Sequence, residues 1–228
     1  SALLHFGNTC VYNTCKLIIV NESKTNERNN GENSTEENKR STLTKTGINF
    51  IGKGAENGIL IKNADALEQA NEIDVVISVG KFFSGFHTEV YDELREIKDA
   101  CHGAHLKVIL ESGLLHNTKE IKQASLLAIA AGADFIKTST GKTERSATLE
   151  AAYVMCQAIK EYHEKTGIKI GFKPAGGIST TKEAVEYYTI VRTVLGEEWM
   201  TNELFRFGAS RLANNLLTSI YGTEVKYF

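Results

Sequence analysis

The 228-residue chain has few cysteines, almost no net charge and no long apolar run. Its four cysteines show neither C-x-x-C spacing nor a secreted disulfide framework, so reduced thiols are expected. A formal charge of -2 gives no electrostatic reason to expect nucleic acid or an anionic membrane as a partner. No apolar run approaches the roughly 20 residues of a membrane-spanning helix. Without a signal-peptide pattern at its start, the sequence predicts a soluble, cytoplasmic protein.

The apolar content is sufficient for one sizeable core. With 42% apolar and 24% charged residues, residues 1–228 are expected to form a single α/β domain. The segment 21–46 is an exception, because Leu43 is its only large apolar side chain. Such a segment cannot bury enough surface to offset its ordering entropy, so it is predicted to be a disordered insertion.

Short β-branched runs alternate with helical patterns from residue 73 onward, which predicts five βα units. The predicted strands are 73–79, 106–111, 133–138, 168–174 and 204–208, and the predicted helices are 88–101, 117–131, 146–166, 180–195 and 209–222. Such alternation implies parallel strands, in either a (β/α)8 TIM barrel or an open doubly wound sheet. A barrel needs three more units upstream, where the chain has room for one or two, so its N-terminal part is expected to be incomplete or divergent.

Several helix ends carry recognisable signals. Asn117 and Thr180 each precede a glutamate by three residues, Glu120 and Glu183, which is the pattern of a capping box. Gly167 follows the third predicted helix, where a left-handed glycine commonly ends a helix.

Two lysines stand at the carboxyl ends of consecutive predicted strands, Lys137 in "FIKTSTG" and Lys173 in "GFKPAGG". Lysine is rarely buried unless it is paired or used chemically. If the strands pair, their backbones lie about 4.8 Å apart, and each ammonium group disfavours the charge of the other. A neutral amine produced in this way is one route to a Schiff-base lysine. The alternative is that each lysine extends to solvent from a strand end.

Asp74, in "NEIDVVISV", is a third ionisable group on an earlier predicted strand. A carboxylate within reach of two lysines can transfer protons and hold one of them charged. Alone, an aspartate near the start of a strand is usually structural.

Glycine-rich loops follow the last two predicted strands. Small residues there leave backbone N–H groups free to bind an anion at a helix N-terminus, and the corresponding loops of a TIM barrel commonly bind phosphate. The alternative for any single glycine pair is a tight turn. The predicted phosphate-binding residues of these two loops are Gly176, Gly177, Ile178, Ser179, Gly208, Ala209 and Ser210. Thr140, Gly141 and Lys142, in the neighbouring loop after the predicted strand 133–138, are expected to add further donors.

Four segments together resemble the 2-deoxyribose-5-phosphate aldolase family of class I aldolases. They are "GADFIKTSTGK", "IGFKPAGGI", "EIDVVISVGKFFSG" and "FRFGAS", and the resemblance runs from about Glu72 to Tyr221. It implies a barrel enzyme that cleaves the sugar phosphate to glyceraldehyde 3-phosphate and acetaldehyde in deoxyribonucleotide catabolism. Lys137 would form the imine, Lys173 would lower the pKa of Lys137, and Asp74 would relay protons. No metal or other cofactor is implied, and a homodimer is compatible with the resemblance.

The N-terminal third departs from the family pattern. The segment "TCVYNTCK" resembles a family strand that would place Cys10 next to the active site, but Asn13 stands where the family has proline. The segment "GINFIGKG" is a degraded counterpart of the Gly-Phe-Pro strand end of the family. Tyr227 is a candidate for a C-terminal tyrosine that reaches the site. Two other functions therefore stay open: a non-catalytic barrel relative acting as a binding or regulatory module, and another phosphate-binding barrel enzyme such as a sugar-phosphate isomerase.

Overall fold

The structure is a computed structural model that describes residues 3–6, 9–12, 16–19 and 71–226. The segment predicted to be disordered, 21–46, and the candidate Tyr227 lie outside these residues. The described strands are β1 Leu3–Phe6, β2 Thr9–Tyr12, β3 Lys16–Ile19, β4 Glu72–Val76, β5 His105–Ile109, β6 Phe135–Lys137 and β7 Gly171–Lys173.

The helices match the predicted ones to within a few residues. A short helix α1, Val79–Phe83, follows β4 and was not predicted. The remaining helices are α2 His87–Ala100, α3 Thr118–Ala130, α4 Leu149–Thr166, α5 Thr181–Leu195 and α6 Leu212–Tyr221, with a 3-10 turn at Glu197–Trp199.

Strands β4 to β7 form a parallel sheet in chain order, as the βα alternation predicts. The register pairs Asp74 with Lys107 and Lys137 with Lys173. At the other edge, β3 pairs with β4 in the antiparallel direction, and β1 and β2 form a separate antiparallel pair. An ideal barrel of this type has only parallel strands, so β3 is a divergent feature of the N-terminal part.

The prediction of a continuous strand over residues 204–208 is wrong. The chain there makes only two isolated parallel bridges, between Phe172 and Phe205 and between Ala175 and Gly208. Pro174 lies between Phe172 and Ala175, the two bridged residues on the β7 side, and proline has no N–H to donate to a strand ladder. The segment nevertheless runs beside β7, because the Gly208 N–H donates to the Pro174 carbonyl at 2.9 Å.

The core lies between the parallel sheet and the helices that cover it. Fully buried β-branched and aromatic residues form the sheet side, such as Val75, Val108 and Phe172. The helices contribute small residues, including Ala124 and Ala152, which allow close approach of helix and sheet. Among the helices of the described residues, none combines the length and the apolar character needed to cross a membrane.

The predicted helix ends are confirmed. Thr180 and Glu183 form a reciprocal capping box at the start of α5. At the start of α3 only half of the predicted box forms: the Asn117 side chain accepts from the Glu120 N–H, but the Glu120 carboxylate accepts from the His116 N–H. Gly167 ends α4 with a φ of 73°. These caps begin and end the helices that follow the site-bearing strands.

Thr180→Ala tests the contribution of the capping box to stability. Loss of the cap at α5 is expected to lower the free energy of unfolding by about 1 kcal/mol. The measurement is urea unfolding followed by far-UV circular dichroism. Thr189→Ala, at an exposed position inside the same helix, is the matched control and should change stability by less than about 0.5 kcal/mol. Equal effects of the two substitutions would contradict this interpretation.

Candidate active site

The structure brings the three predicted catalytic residues together. Lys137 and Lys173 end the neighbouring strands β6 and β7 and are register partners. The Lys137 ammonium group donates to Oδ2 of Asp74 at 2.9 Å. Asp74 lies on β4, with one strand between it and β6, and its side chain is fully buried. The two lysines and the carboxylate therefore form one cluster inside the sheet.

Lys107 is a fourth member of this cluster that the sequence analysis did not identify. It lies on β5 between the other strands, and its side chain is fully buried. Its ammonium group donates to Oδ1 of Asp74 at 3.0 Å and also to Glu72. Each oxygen of the Asp74 carboxylate thus accepts from a different lysine, which fixes the orientation of this carboxylate.

The pKa of Lys173 is lowered to about 8. Burial is the largest cause, because it disfavours the charged form, and the positive charge of Lys107 is the next. Asp74 opposes the shift, and Lys137 adds to it. The neutral amine that a lysine pair is expected to produce is therefore favoured at Lys173.

A buried hydroxyl connects the ends of the two lysine strands. The Thr138 Oγ1 atom accepts from the Ala175 N–H at 2.9 Å and donates to the Ala175 carbonyl at 3.0 Å. The Thr138 N–H also donates to the Lys173 carbonyl at 3.2 Å. These bonds hold the loops after β6 and β7 in a fixed relation to each other.

A cavity of about 570 Å³ opens above the lysine pair. Both lysines line it, together with residues of the loops after β6, β7 and the segment 205–208. The sequence-predicted residues that line it are Lys137, Lys173, Thr140, Gly141, Gly176, Gly177, Ile178, Ser179, Gly208, Ala209 and Ser210, and two further lining residues are Ala175 and Arg211. The volume is within the usual range for a small-molecule site.

Two predicted residues do not line this cavity. Asp74 lies beneath it, behind the lysines, and reaches the cavity only through its contact with Lys137. Lys142 is exposed, and its N–H donates to Oγ1 of Thr140 at 3.2 Å. Of the other candidates, Cys10 lies in β2, whose side chains are not described.

Gly176 and Gly177 have successive positive φ angles of 94° and 82°. Side chains larger than hydrogen are strained in this conformation. At Gly176 a Cβ atom would also come within 2.6 Å of the Ser146 side chain. The turn after β7 thus requires glycine, and its backbone lies directly at the cavity surface.

Glu111 holds the loop that follows β6. Its side chain is fully buried although its φ is 53°, an uncommon value for a residue other than glycine. One carboxylate oxygen accepts from the Thr140 N–H at 3.0 Å, and the other accepts from the Thr140 hydroxyl at 2.6 Å. Thr140 lines the cavity, so Glu111 positions one wall of the site without touching the cavity itself.

The sequence contained a signal for Lys107 but not for Glu111. Lys107 interrupts the apolar run "LKVILE" in the way that Lys137 interrupts "DFIKT", so the same reasoning applies to both. Glu72 is two residues before Asp74, and residues at this spacing in a strand share a face. Glu111 follows its strand in a turn-like "ESG", where an exposed glutamate is the ordinary expectation.

The chain belongs to the DeoC/LacD aldolase family, whose family model matches residues 59–210. This confirms the resemblance found in the sequence. The solved structure of QR15, an aldolase, superposes with a TM-score of 0.55 at 25% identity and covers 80% of this chain and 68% of its own. The α/β fold with a parallel sheet is therefore that of the TIM-barrel aldolases, as predicted.

Several curated relatives are named deoxyribose-phosphate aldolase. The mouse protein is 48% identical over 152 residues, which are 67% of this chain and 48% of the mouse protein. The protein from Agrobacterium fabrum is 41% identical over 182 residues, which are 78% of this chain and 69% of that protein. The chain spans about half the length of the animal relatives that it matches.

Lys107→Met tests whether Lys107 holds the buried carboxylates. Removing the ammonium group takes one of two cationic partners from each carboxylate, since Glu72 keeps Arg206 and Asp74 keeps Lys137. The loss of these charge-assisted hydrogen bonds is expected to lower the free energy of unfolding by about 1.5 to 3 kcal/mol. Guanidinium unfolding of the purified variant measures this change. Lys169→Met breaks the exposed pair with Glu198 and serves as control, with an expected change below about 1 kcal/mol. A Lys107→Met protein as stable as wild type would contradict the structural role of Lys107.

Proposed function

We propose that the chain is a class I aldolase that reversibly cleaves 2-deoxy-D-ribose 5-phosphate to glyceraldehyde 3-phosphate and acetaldehyde. The observation that carries this proposal is the in-register pair Lys137 and Lys173 at the base of a cavity bounded by glycine-rich loops. The family of the chain and the names of its relatives support the reaction class. Lys137, Lys173 and Asp74 are the proposed catalytic residues.

The proposed reaction begins with attack of the Lys137 amine on the C1 aldehyde of the open-chain sugar. Lys137 must first lose the proton that it shares with Asp74. Lys173 can accept this proton, because its pKa of about 8 leaves part of it neutral near neutral pH. Lys173 then returns the proton to the departing C1 oxygen, which leaves as water, and the protonated imine remains.

Carbon–carbon cleavage follows from the electron demand of this iminium. Lys173, neutral again, takes the proton of the C3 hydroxyl, directly or through water. The C2–C3 electron pair moves into the C1–C2 bond, so an enamine forms on Lys137 and C3 leaves as the aldehyde of glyceraldehyde 3-phosphate. Lys173 gives its proton to C2, and hydrolysis of the resulting imine releases acetaldehyde and restores both lysines.

The loops at the opposite side of the cavity are the proposed phosphate site. Backbone N–H groups near Gly177 and Ser210 suit an anion, and Arg211 lines the same cavity. Gly176 and Gly208 shape these loops, because their own N–H groups donate to the Gly208 and Pro174 carbonyls. A sugar phosphate whose phosphate group is bound there would have the aldehyde end of its five-carbon chain directed toward the lysines. The remaining predicted phosphate residues are Thr140, Gly141, Lys142, Ile178, Ser179 and Ala209.

Trapping of the imine with borohydride tests the mechanism. Incubation with acetaldehyde and sodium borohydride should replace one amine hydrogen of the wild-type protein by an ethyl group, a net gain of C2H4, on the peptide that contains Lys137. Lys137→Leu should give no adduct, while Lys173→Leu should give an adduct at a rate lower by at least about 100-fold, since it lacks the proposed base. An adduct on Lys173 in the wild type would reverse the assignment. A folded wild-type protein without any adduct would favour a non-catalytic binding module.

Glu111→Gln tests the role of the loop after β6 in phosphate recognition. A neutral amide can accept from only one of the two Thr140 donors, so the loop should lose order and KM for deoxyribose 5-phosphate should rise about tenfold. The KM for unphosphorylated deoxyribose should change less than twofold, as should the rate of acetaldehyde trapping. Glu89→Gln, at an exposed position on α2, is the control. Equal loss with both sugars would contradict a specific effect on phosphate.

A further inference from the structure

Five charged groups of alternating sign form a continuous chain from Arg206 to Lys137. The Arg206 guanidinium donates to Oε2 of Glu72 at 2.7 Å, and Lys107 donates to the other oxygen of the same carboxylate. Lys107 also donates to Asp74 at 3.0 Å, and Asp74 accepts from Lys137 at 2.9 Å. Arg206 and Glu72 are thus connected to Lys137 without approaching the cavity.

This chain is shielded from solvent over most of its length. The side chains of Lys107 and Asp74 are 0% exposed, that of Glu72 is 8% exposed, and those of Lys137 and Arg206 are 12% and 24% exposed. Charges buried to this degree are screened weakly by water and salt. A change of charge at Glu72 therefore changes the electrostatic potential at Lys137.

The end of this charged network that is farthest from the cavity lies at the amino ends of the strands. Glu72 is the first residue of β4 and shares a strand face with Asp74, two residues later. The Arg206 guanidinium lies 4.5 Å from the ring centre of Phe135, the first residue of β6. The lysine pair and the cavity are at the carboxyl ends of β6 and β7, so substrate bound there does not contact Glu72 or Arg206.

Several charged groups surround the lysine pair or connect to it. Among the described residues, Asp74 contacts Lys137 directly, and Lys107, Glu72 and Arg206 follow it in the network. Arg211 lines the cavity beside the lysines, and the buried Glu111 holds the cavity-lining Thr140. The lowered pKa of Lys173 has the charge of Lys107 as its second cause. The Glu72 carboxylate offsets part of the positive charge of Lys107, and the Arg206 guanidinium in turn offsets part of the negative charge of Glu72.

We propose that Glu72 and Arg206 are positioning residues that act through Lys107 and Asp74 to set the charge state of Lys137 and Lys173. This inference rests on the proposed function for its catalytic meaning. Glu72 favours the ammonium forms, and Arg206 favours the free amines. The two residues therefore tune, in opposite directions, the pH at which the lysine pair has a neutral amine.

The test compares Glu72→Gln with Arg206→Gln. The former removes a negative charge, so the pKa of Lys173 should fall by about one unit. The latter removes a positive charge near solvent, so the pKa of Lys173 should rise by about half a unit. The pKa values are measured from the pH dependence of acetylation of Lys137 and Lys173 by trace acetic anhydride, quantified by peptide mass spectrometry. This readout needs no substrate and no catalysis.

Catalysis provides a second readout. Because only a neutral amine attacks an aldehyde, the acid limb of kcat/KM for deoxyribose 5-phosphate should move to lower pH in Glu72→Gln and to higher pH in Arg206→Gln. The double variant restores the formal charge and should lie near the wild-type profile. Glu198→Gln makes the same charge change in an exposed pair with Lys169 and should leave both lysines unchanged.

Opposite shifts of the two single variants support the inference. Shifts in the same direction, or unchanged lysine titration in folded variants that merely lose stability, overturn it. If Glu72→Gln does not fold, the test rests on the expected upward shift of lysine titration in Arg206→Gln alone. This variant is expected to fold, because the Arg206 side chain is partly exposed. If the variants show the expected labelling shifts but the wild type never traps an imine, the proposed function is overturned and the electrostatic inference stands.

Discussion

The burial of Lys107 between two carboxylates is the constraint on which the rest of the site depends. A fully buried ammonium group is tolerated only when its charge is compensated, and here Glu72 and Asp74 compensate it from the neighbouring strand. In return, Lys107 fixes Asp74 in the orientation that accepts from Lys137. Three strands are thereby held in one register by charge as well as by backbone hydrogen bonds.

The proposed chemistry depends on an uneven distribution of charge between two similar groups. Lys137 has a carboxylate partner at 2.9 Å, whereas Lys173 is buried beside the positive charge of Lys107 and has a lowered pKa. Two identical side chains at equivalent register positions therefore have different electrostatic surroundings. Such a difference is what allows one lysine to serve as nucleophile and the other as base.

Sequence reasoning predicted the parts of this site that depend on position along the chain. Lysines at the ends of consecutive strands and glycine-rich loops after them are local patterns, and the parallel order of β4 to β7 follows from the βα alternation. Lys107 interrupts an apolar run as Lys137 does, but it was missed because it lies in the middle of its strand and not at the end, next to a glycine-rich loop. Glu111 was missed because its burial depends on a left-handed backbone conformation, which is uncommon for residues other than glycine and which the turn pattern "ESG" does not specify. The segment 204–208 was predicted as a full strand because the effect of Pro174 on its neighbour is not local.

The Thr138 hydroxyl has a consequence for the thermodynamics of ligand association. By bonding both the N–H and the carbonyl of Ala175, it joins the two lysine-bearing strand ends into one unit while the chain folds. The conformational entropy of these loops is then lost before any ligand arrives. Association is accordingly expected to proceed with little change in backbone order, and its heat capacity change should reflect the desolvation of the cavity rather than the ordering of its walls.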